Sequence, residues 1–347
     1  MSFPARLGIH ELISKWIPDN NIRERQKENK GINIKNLLYI ISVIIVALVA
    51  AIFFADSFSS SSSEEKVKNI NKKIERIISL SPSTTETLFA LGLGNKVVGR
   101  TRFCNYPPEA KRITEVGGYI DPNYEAMIAL KPDLVILLPE QEKVKKYLNE
   151  LKINHFTVDN KTVSDIKNTI KTIGDTCSAQ LSSIKLLNNI NTIIEKIKIK
   201  TKELKKPKVI ISIGRTPGTN GVKDVYIAGR NTSYDELINI AGGRNAFEDS
   251  NILYPMLSAE GLIHLNPDII FDFIPNFDKN NLTRELVLKD WQSIKSVNAV
   301  KNNRVNILTA DYISIPGPRF ILLLKDLAKA IHPEIDWDEL DIKQVDN

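Results

Sequence analysis

Apolar and polar positions follow two rhythms in this chain, and one composite of both occurs twice. The first copy reads NYEAMIALKPDLVI from Asn123 and the second SAEGLIHLNPDIIF from Ser258, with Glu, Ile, Leu, Pro and Asp recurring 135 positions apart. Each copy predicts a short helix running into a buried strand. Asn123 and Ser258 are N-caps, whose side chains accept from the unpaired N–H groups of a first helical turn. Glu125 and Glu260 follow at the second helical position, where the helix dipole favours an anion. Pro132 and Pro267 end the helices, and the apolar runs beyond them read as strands buried on both faces. A repeat at this distance predicts two similar lobes and excludes a short-period solenoid.

The same rhythms carry through the rest of the chain. Residues 76–80 form a buried-strand run, and Ser81-Pro82-Ser83-Thr84 then opens a helix ending at Gly92. A strand passing through a Ser/Thr-rich turn into a helix is a βα unit, whose loop lies where open α/β sheets bind ligands. The second half repeats this order, with a strand over 208–213 and a helix opened by Ser233 and closed by Gly242-Gly243. Between the halves, residues 178–204 hold neither Pro nor Gly, and Leu181, Ile184, Leu187, Ile190, Ile194 and Ile197 recur at helical spacing. This predicts a rigid connector ~40 Å long. The fold class expected is α/β: two Rossmann-like βα lobes, 74–177 and 207–333, joined by one long rigid α-helix over 178–206. The ligand cleft is expected between the lobes, and residues 334–347 form an uninformative tail.

Ahead of the lobes, residues 37–55 carry no charged side chain and are long enough to span a ~30 Å hydrocarbon core. The segment 36–55 is expected to be an N-terminal transmembrane helix, with a cleaved signal peptide as the alternative. Basic residues before it and acidic ones after it place the tail 1–35 in the cytoplasm and the rest on the extracytoplasmic (periplasmic) face of the cytoplasmic membrane. The serine-rich stretch within 56–73 reads as a flexible linker.

Composition narrows the function. The apolar fraction of 42% excludes global disorder. The net charge of +6 is drawn partly from the tail and is otherwise too dilute for a phosphate-tracking surface, so nucleic acid is not an expected partner. No nucleophile elbow or Walker loop is present, and His10, His155, His264 and His332 are scattered. The chain therefore reads as non-enzymatic, with no metal site and no resident cofactor.

The loops after the strands, at 81–85, 102–106, 117–119, 215–220, 253–256 and 311–319, would wall the cleft. The candidate ligand contacts are Ser83, Thr84, Phe103, Tyr119, Arg215, Tyr254, Tyr312 and Arg319. Aromatic faces with planar donors suit a large, partly apolar ligand bearing amide or acidic groups. Cys104 and Cys177 make no disulfide framework. A free thiol is the expected state, with a disulfide or a metal-ligating Cys104 as alternatives.

The stretches RIISLSPSTTETLFALG, CNYPPEAK, VGGYIDPNYEAMIALKPDLVI, DELINIAGGRNAF and YPMLSAEGLIHLNPDII occur in that order within residues 74–332. They closely resemble the helical-backbone (class III) family of periplasmic solute-binding proteins, most of all the cobalamin-binding components of corrinoid uptake systems. The resemblance implies a substrate-binding component of an ABC importer that captures a cobalt corrinoid, with an ABC permease dimer and its ATPase subunits as partners. It implies that Glu125 and Glu260 dock to the two permease subunits. Phe103, Tyr119, Tyr254 and Tyr312 fall where corrinoid binders place aromatics, whereas Leu138-Pro139 lacks an aromatic that the family carries. A ferric siderophore, haem, or a role as a membrane-anchored ligand sensor are the alternatives.

Overall fold

The computed structural model describes residues 73–275, 277 and 282–338. The expected tail 1–35, membrane segment 36–55 and nearly all of the linker 56–73 lie outside these residues, as does most of 334–347. Among the described residues no helix is long and apolar enough to cross a membrane. The described residues from Lys73 onward form one compact unit.

The first half is built on five parallel strands in the order β3-β2-β1-β4-β5. They are β1 (Ile77–Ser79), β2 (Val97–Arg100), β3 (Thr114–Glu115), β4 (Leu134–Leu137) and β5 (His155–Thr157). Both β1 and β4 are buried throughout, as expected of apolar runs covered by helices on two faces. The second half carries β6 (Lys208–Gly214), β7 (Val225–Ile227), β8 (Arg244–Asn245), β9 (Met256–Leu257), β10 (Ile269–Phe273) and β11 (Val305–Leu308). Here β10 pairs in parallel with β6 and β11, but β7 runs antiparallel to both β6 and β9. The second half thus departs from a plain repeat. After β6 the chain turns straight back as β7, where the first half goes through a helix.

Both copies of the repeat fold as helix then strand. The helices are α2 (Tyr124–Ala129) and α7 (Ala259–Leu265), numbered in chain order with α1 (Pro82–Ala90) first. The Asn123 side chain accepts from the Ala126 N–H and that of Ser258 from the Gly261 N–H. The prolines do not act alone in ending these helices. Lys131 (φ 45°) and Asn266 (φ 44°), each one residue before the proline, take the left-handed conformation at matching register. The aspartates that follow have matching work. Asp133 Oδ2 accepts from the Glu75 and Arg76 N–H groups, and Asp268 Oδ2 from the Lys208 N–H. Each repeat therefore clasps the start of its own lobe's central strand.

The connector is α5 (Gln180–Thr201), 22 residues that bury Leu186, Ile190, Ile193, Ile194 and Ile197. Those side chains belong to one hydrophobic core that runs from Ile77 and Leu88 in the first half to Leu327 and Ile331 in the second. Polar contacts also join the halves. The capped starts of α4 (Val163–Thr176) and α6 (Ser233–Ile240) meet, where the Val163 N–H donates to Glu236 Oε2 at 2.7 Å and the Ser233 N–H to the Lys161 carbonyl at 2.8 Å.

Candidate functional site

Parallel strands point all their carboxyl ends to one side, so the loops after β1, β2, β4, β6, β10 and β11 share an end of each half. One cross-lobe contact is built from two of these loops. Arg319, at the start of α10 (Phe320–Ile331), reaches Glu86 on α1 through Nη2–Oε1 at 2.6 Å and Nε–Oε2 at 3.1 Å. It also grips Asp311 with two bonds of 2.8 and 3.0 Å. The Tyr106 ring stacks on the guanidinium, 3.6 Å from ring centroid to Cζ. Gly317 makes this approach possible, because a Cβ there would stand 3.3 Å from Ser83 Cα and 3.2 Å from Glu86 Oε2.

The electrostatics of this clasp are finely opposed. Burial pushes the Glu86 carboxyl up to about 7, even though Arg319 pulls it down. Burial also works against the charge of Arg319, but Glu86 and Asp311 hold it above its ordinary value. Arg319 is thus occupied in joining the halves, with its donors directed at carboxylates of this chain.

Arg215 is engaged in a different way. Its guanidinium binds Asp272 through Nε and Nη2 at 2.9 and 2.8 Å and Asp290 through Nη1 at 2.8 Å, and its side chain is only 3% exposed. The Trp291 indole N–H donates to the same Asp272 oxygen at 2.8 Å. Asp290 in turn accepts from the Gly218 N–H and so fixes the loop after β6. The structure therefore sets Arg215 beneath that loop, not on the cleft wall. Ser83 and Thr84 are likewise buried. Thr84 bonds the capping Ser81 hydroxyl at 2.7 Å, and Ser83 Oγ accepts from Asn160 Nδ2 at 3.1 Å.

The aromatics lie closer to solvent. Phe103 and Tyr254 are half exposed. Tyr119 donates its phenol to Glu140 at 2.9 Å and Tyr312 donates to Asp326 at 2.7 Å. Burial and these carboxylates together raise both phenols well above the usual tyrosine range, so both rings are neutral. Four ring-bearing loops with two neutral phenols can stack against a flat or apolar ligand and offer it hydroxyl oxygens as acceptors.

The cysteines are free thiols, both buried. Cys104 is wholly enclosed with its sulfur 3.2 Å from Thr101 Oγ1, which leaves no access for a metal in a ligand. Burial raises its thiol, and pushes that of Cys177 up to about 11. Among the described residues no group of three or more His, Cys, Asp or Glu is placed to hold a metal ion.

Glu125 and Glu260 are exposed and among the described residues form no ion pair. Each stands at the start of a helix that descends before an ascending strand, so both lie at the strand-carboxyl end of their own half. The backbone N–H of Glu260 and the Ser258 side chain hold the Glu260 carboxyl below its usual range.

Sequence reasoning missed the partners that decide these roles: Glu86 and Asp311 for Arg319, and Asp272, Asp290 and Trp291 for Arg215. A signal for one pair was present. Asp272 is a lone carboxylate in the apolar run from Ile269 to Ile274, and a buried acid in such a run needs a cation.

These features coincide with a known family. Residues 77–312 match the family Periplasmic binding protein, and the chain belongs to it. A Bacillus subtilis (strain 168) protein, the uncharacterized ABC transporter substrate-binding lipoprotein YvrC, is 30% identical over 273 residues, covering 76% of this chain and 82% of that one. The vitamin B12-binding protein of Vibrio vulnificus (strain CMCP6) is 28% identical over 258 residues, covering 74% and 89%. The crystal structure of a possible iron-binding (periplasmic solute-binding) protein from Staphylococcus epidermidis superposes with a TM-score of 0.64 at 29% identity, covering 75% of this chain and all of that one.

Proposed function

We propose that the protein is the substrate-binding component of an ABC importer, carrying a corrinoid-like metal chelate to a permease dimer with its ATPase subunits. The observation that carries this reading is the pair Glu125 and Glu260, two exposed carboxylates at equal register that form no ion pair among the described residues of the chain. Symmetric anions at the strand-carboxyl ends of two lobes suit a partner made of two like subunits bearing cations. Phe103, Tyr119, Tyr254 and Tyr312 would cover the chelate, while Arg215 and Arg319 shape the site from beneath. Haem or a ferric siderophore is the second reading, supported by the likeness to the Staphylococcus epidermidis structure described as a possible iron-binding protein.

Calorimetric titration of residues 73–347, whose described part forms one compact unit, against cobalamin, cobinamide, haem and a ferric siderophore separates the two. Saturable binding of either corrinoid with none of the iron chelates is expected. Reversing both charges together, Glu125→Lys with Glu260→Lys, is expected to abolish uptake while leaving that binding unchanged. Uptake that survives would remove the delivery role.

A further inference from the structure

The two docking carboxylates do not stand on bare polar surface. Ile128, three residues after Glu125, is 42% exposed, and Ile263, three residues after Glu260, is 44% exposed. Positions three apart on a helix are neighbours, with Cβ atoms roughly 5–6 Å apart. The inward positions also match, since Met127 and Leu262 are both buried. Each helix therefore presents an exposed carboxylate and, three residues on, a partly exposed isoleucine.

A second apolar side chain precedes each helix. Ile120, in the turn closed by the Gly117–Pro122 bridge, is 81% exposed. Met256, on β9 opposite the exposed Tyr226 of β7, is 54% exposed. A single exposed apolar residue needs no explanation. Here, on both lobes, each carboxylate is preceded and followed along the chain by an exposed apolar residue, in the same order.

We infer that Ile120 with Ile128, and Met256 with Ile263, form apolar collars that close around the Glu125 and Glu260 ion pairs when the permease docks. This rests on the delivery reading and specifies its partner: two sockets, each a cation set in an apolar rim. An open ion pair at a protein surface is weakened by salt, since charges are screened over ~8–10 Å at physiological ionic strength. A collar that expels water around the pair lowers the local dielectric and strengthens it. The partner is thus held by charge made effective through apolar enclosure.

The test uses the full chain with its own permease–ATPase complex in lipid nanodiscs, and measures docking at low and high salt. The double variant Ile128→Ser with Ile263→Ser is expected to dock roughly ten-fold more weakly and to lose far more affinity on raising salt than the unaltered chain. Its affinity for ligand should be unchanged, as should the docking of Ile199→Ser, altered at an exposed isoleucine of the connector. If the isoleucine variant docks normally while Glu125→Lys with Glu260→Lys does not, the collars are refuted and delivery stands. If neither double variant affects docking, both readings fall together.

Discussion

At the scale of single residues, the two arginines show how burial redirects a side chain. Arg215 neutralises two carboxylates that the fold has taken out of water, and removal of one partner from such a group leaves uncompensated charge. Arg215→Met is therefore expected to destabilise the protein by about 3–5 kcal/mol, measured as a shift of the urea midpoint, with altered Trp291 fluorescence because the indole shares Asp272. Glu86 gives a pH signature. Its folded pKa of about 7 lies above the ordinary carboxylate value. Between those two values the folded state keeps a proton that the unfolded state releases, so this group's contribution to stability falls as pH rises through that window. Glu86→Gln cannot lose that proton. The gap between the variant and the unaltered chain should be smallest near pH 4 and widen in the variant's favour by pH 7.5 in parallel urea titrations; a gap constant with pH would refute the assignment.

Among the elements, the repeat was legible because it obeys local rules: caps that accept N–H bonds, apolar steps at helical spacing, and prolines that forbid continuation. What was not legible depends on distant groups. Nothing near Asp133 or Asp268 indicates that each will clasp a strand start almost sixty residues earlier. Nor does the loop from Gly214 reveal that β7 returns antiparallel, since Gly, Asn and Pro permit either course. The left-handed residue before each proline differs in suitability, because Asn takes that conformation at lower cost than Lys. Exchanging them tests the point. Lys131→Asn should stabilise by ~0.5 kcal/mol and Asn266→Lys should destabilise by ~0.5 kcal/mol, read from thermal midpoints.

At the scale of the whole molecule, the sequence names the loops that carry the candidate side chains but not the direction each side chain takes. Phe103 and Tyr254, expected to face a ligand, are half exposed, as such a contact requires. Arg215, Ser83 and Thr84, expected on the cleft wall, have buried side chains, because a residue's place on a loop does not say which way it turns. The Glu86–Arg319 clasp and the shared core oppose wide separation of the halves. Ligand binding is accordingly expected to change the radius of gyration by less than about 1 Å, by solution scattering of the loaded and empty forms. Compaction of several ångströms on loading would show that the clasp is open in the empty form in solution.

The face of α5 that buries Ile190, Ile194 and Ile197 serves both halves at once. A boundary that two domains own in common cannot break for one of them alone. The amides along that face should exchange with deuterium only when the entire body opens, and calorimetry should record one melting transition where two lobes invite the expectation of two. In folding, then, this bilobed carrier behaves as one indivisible piece.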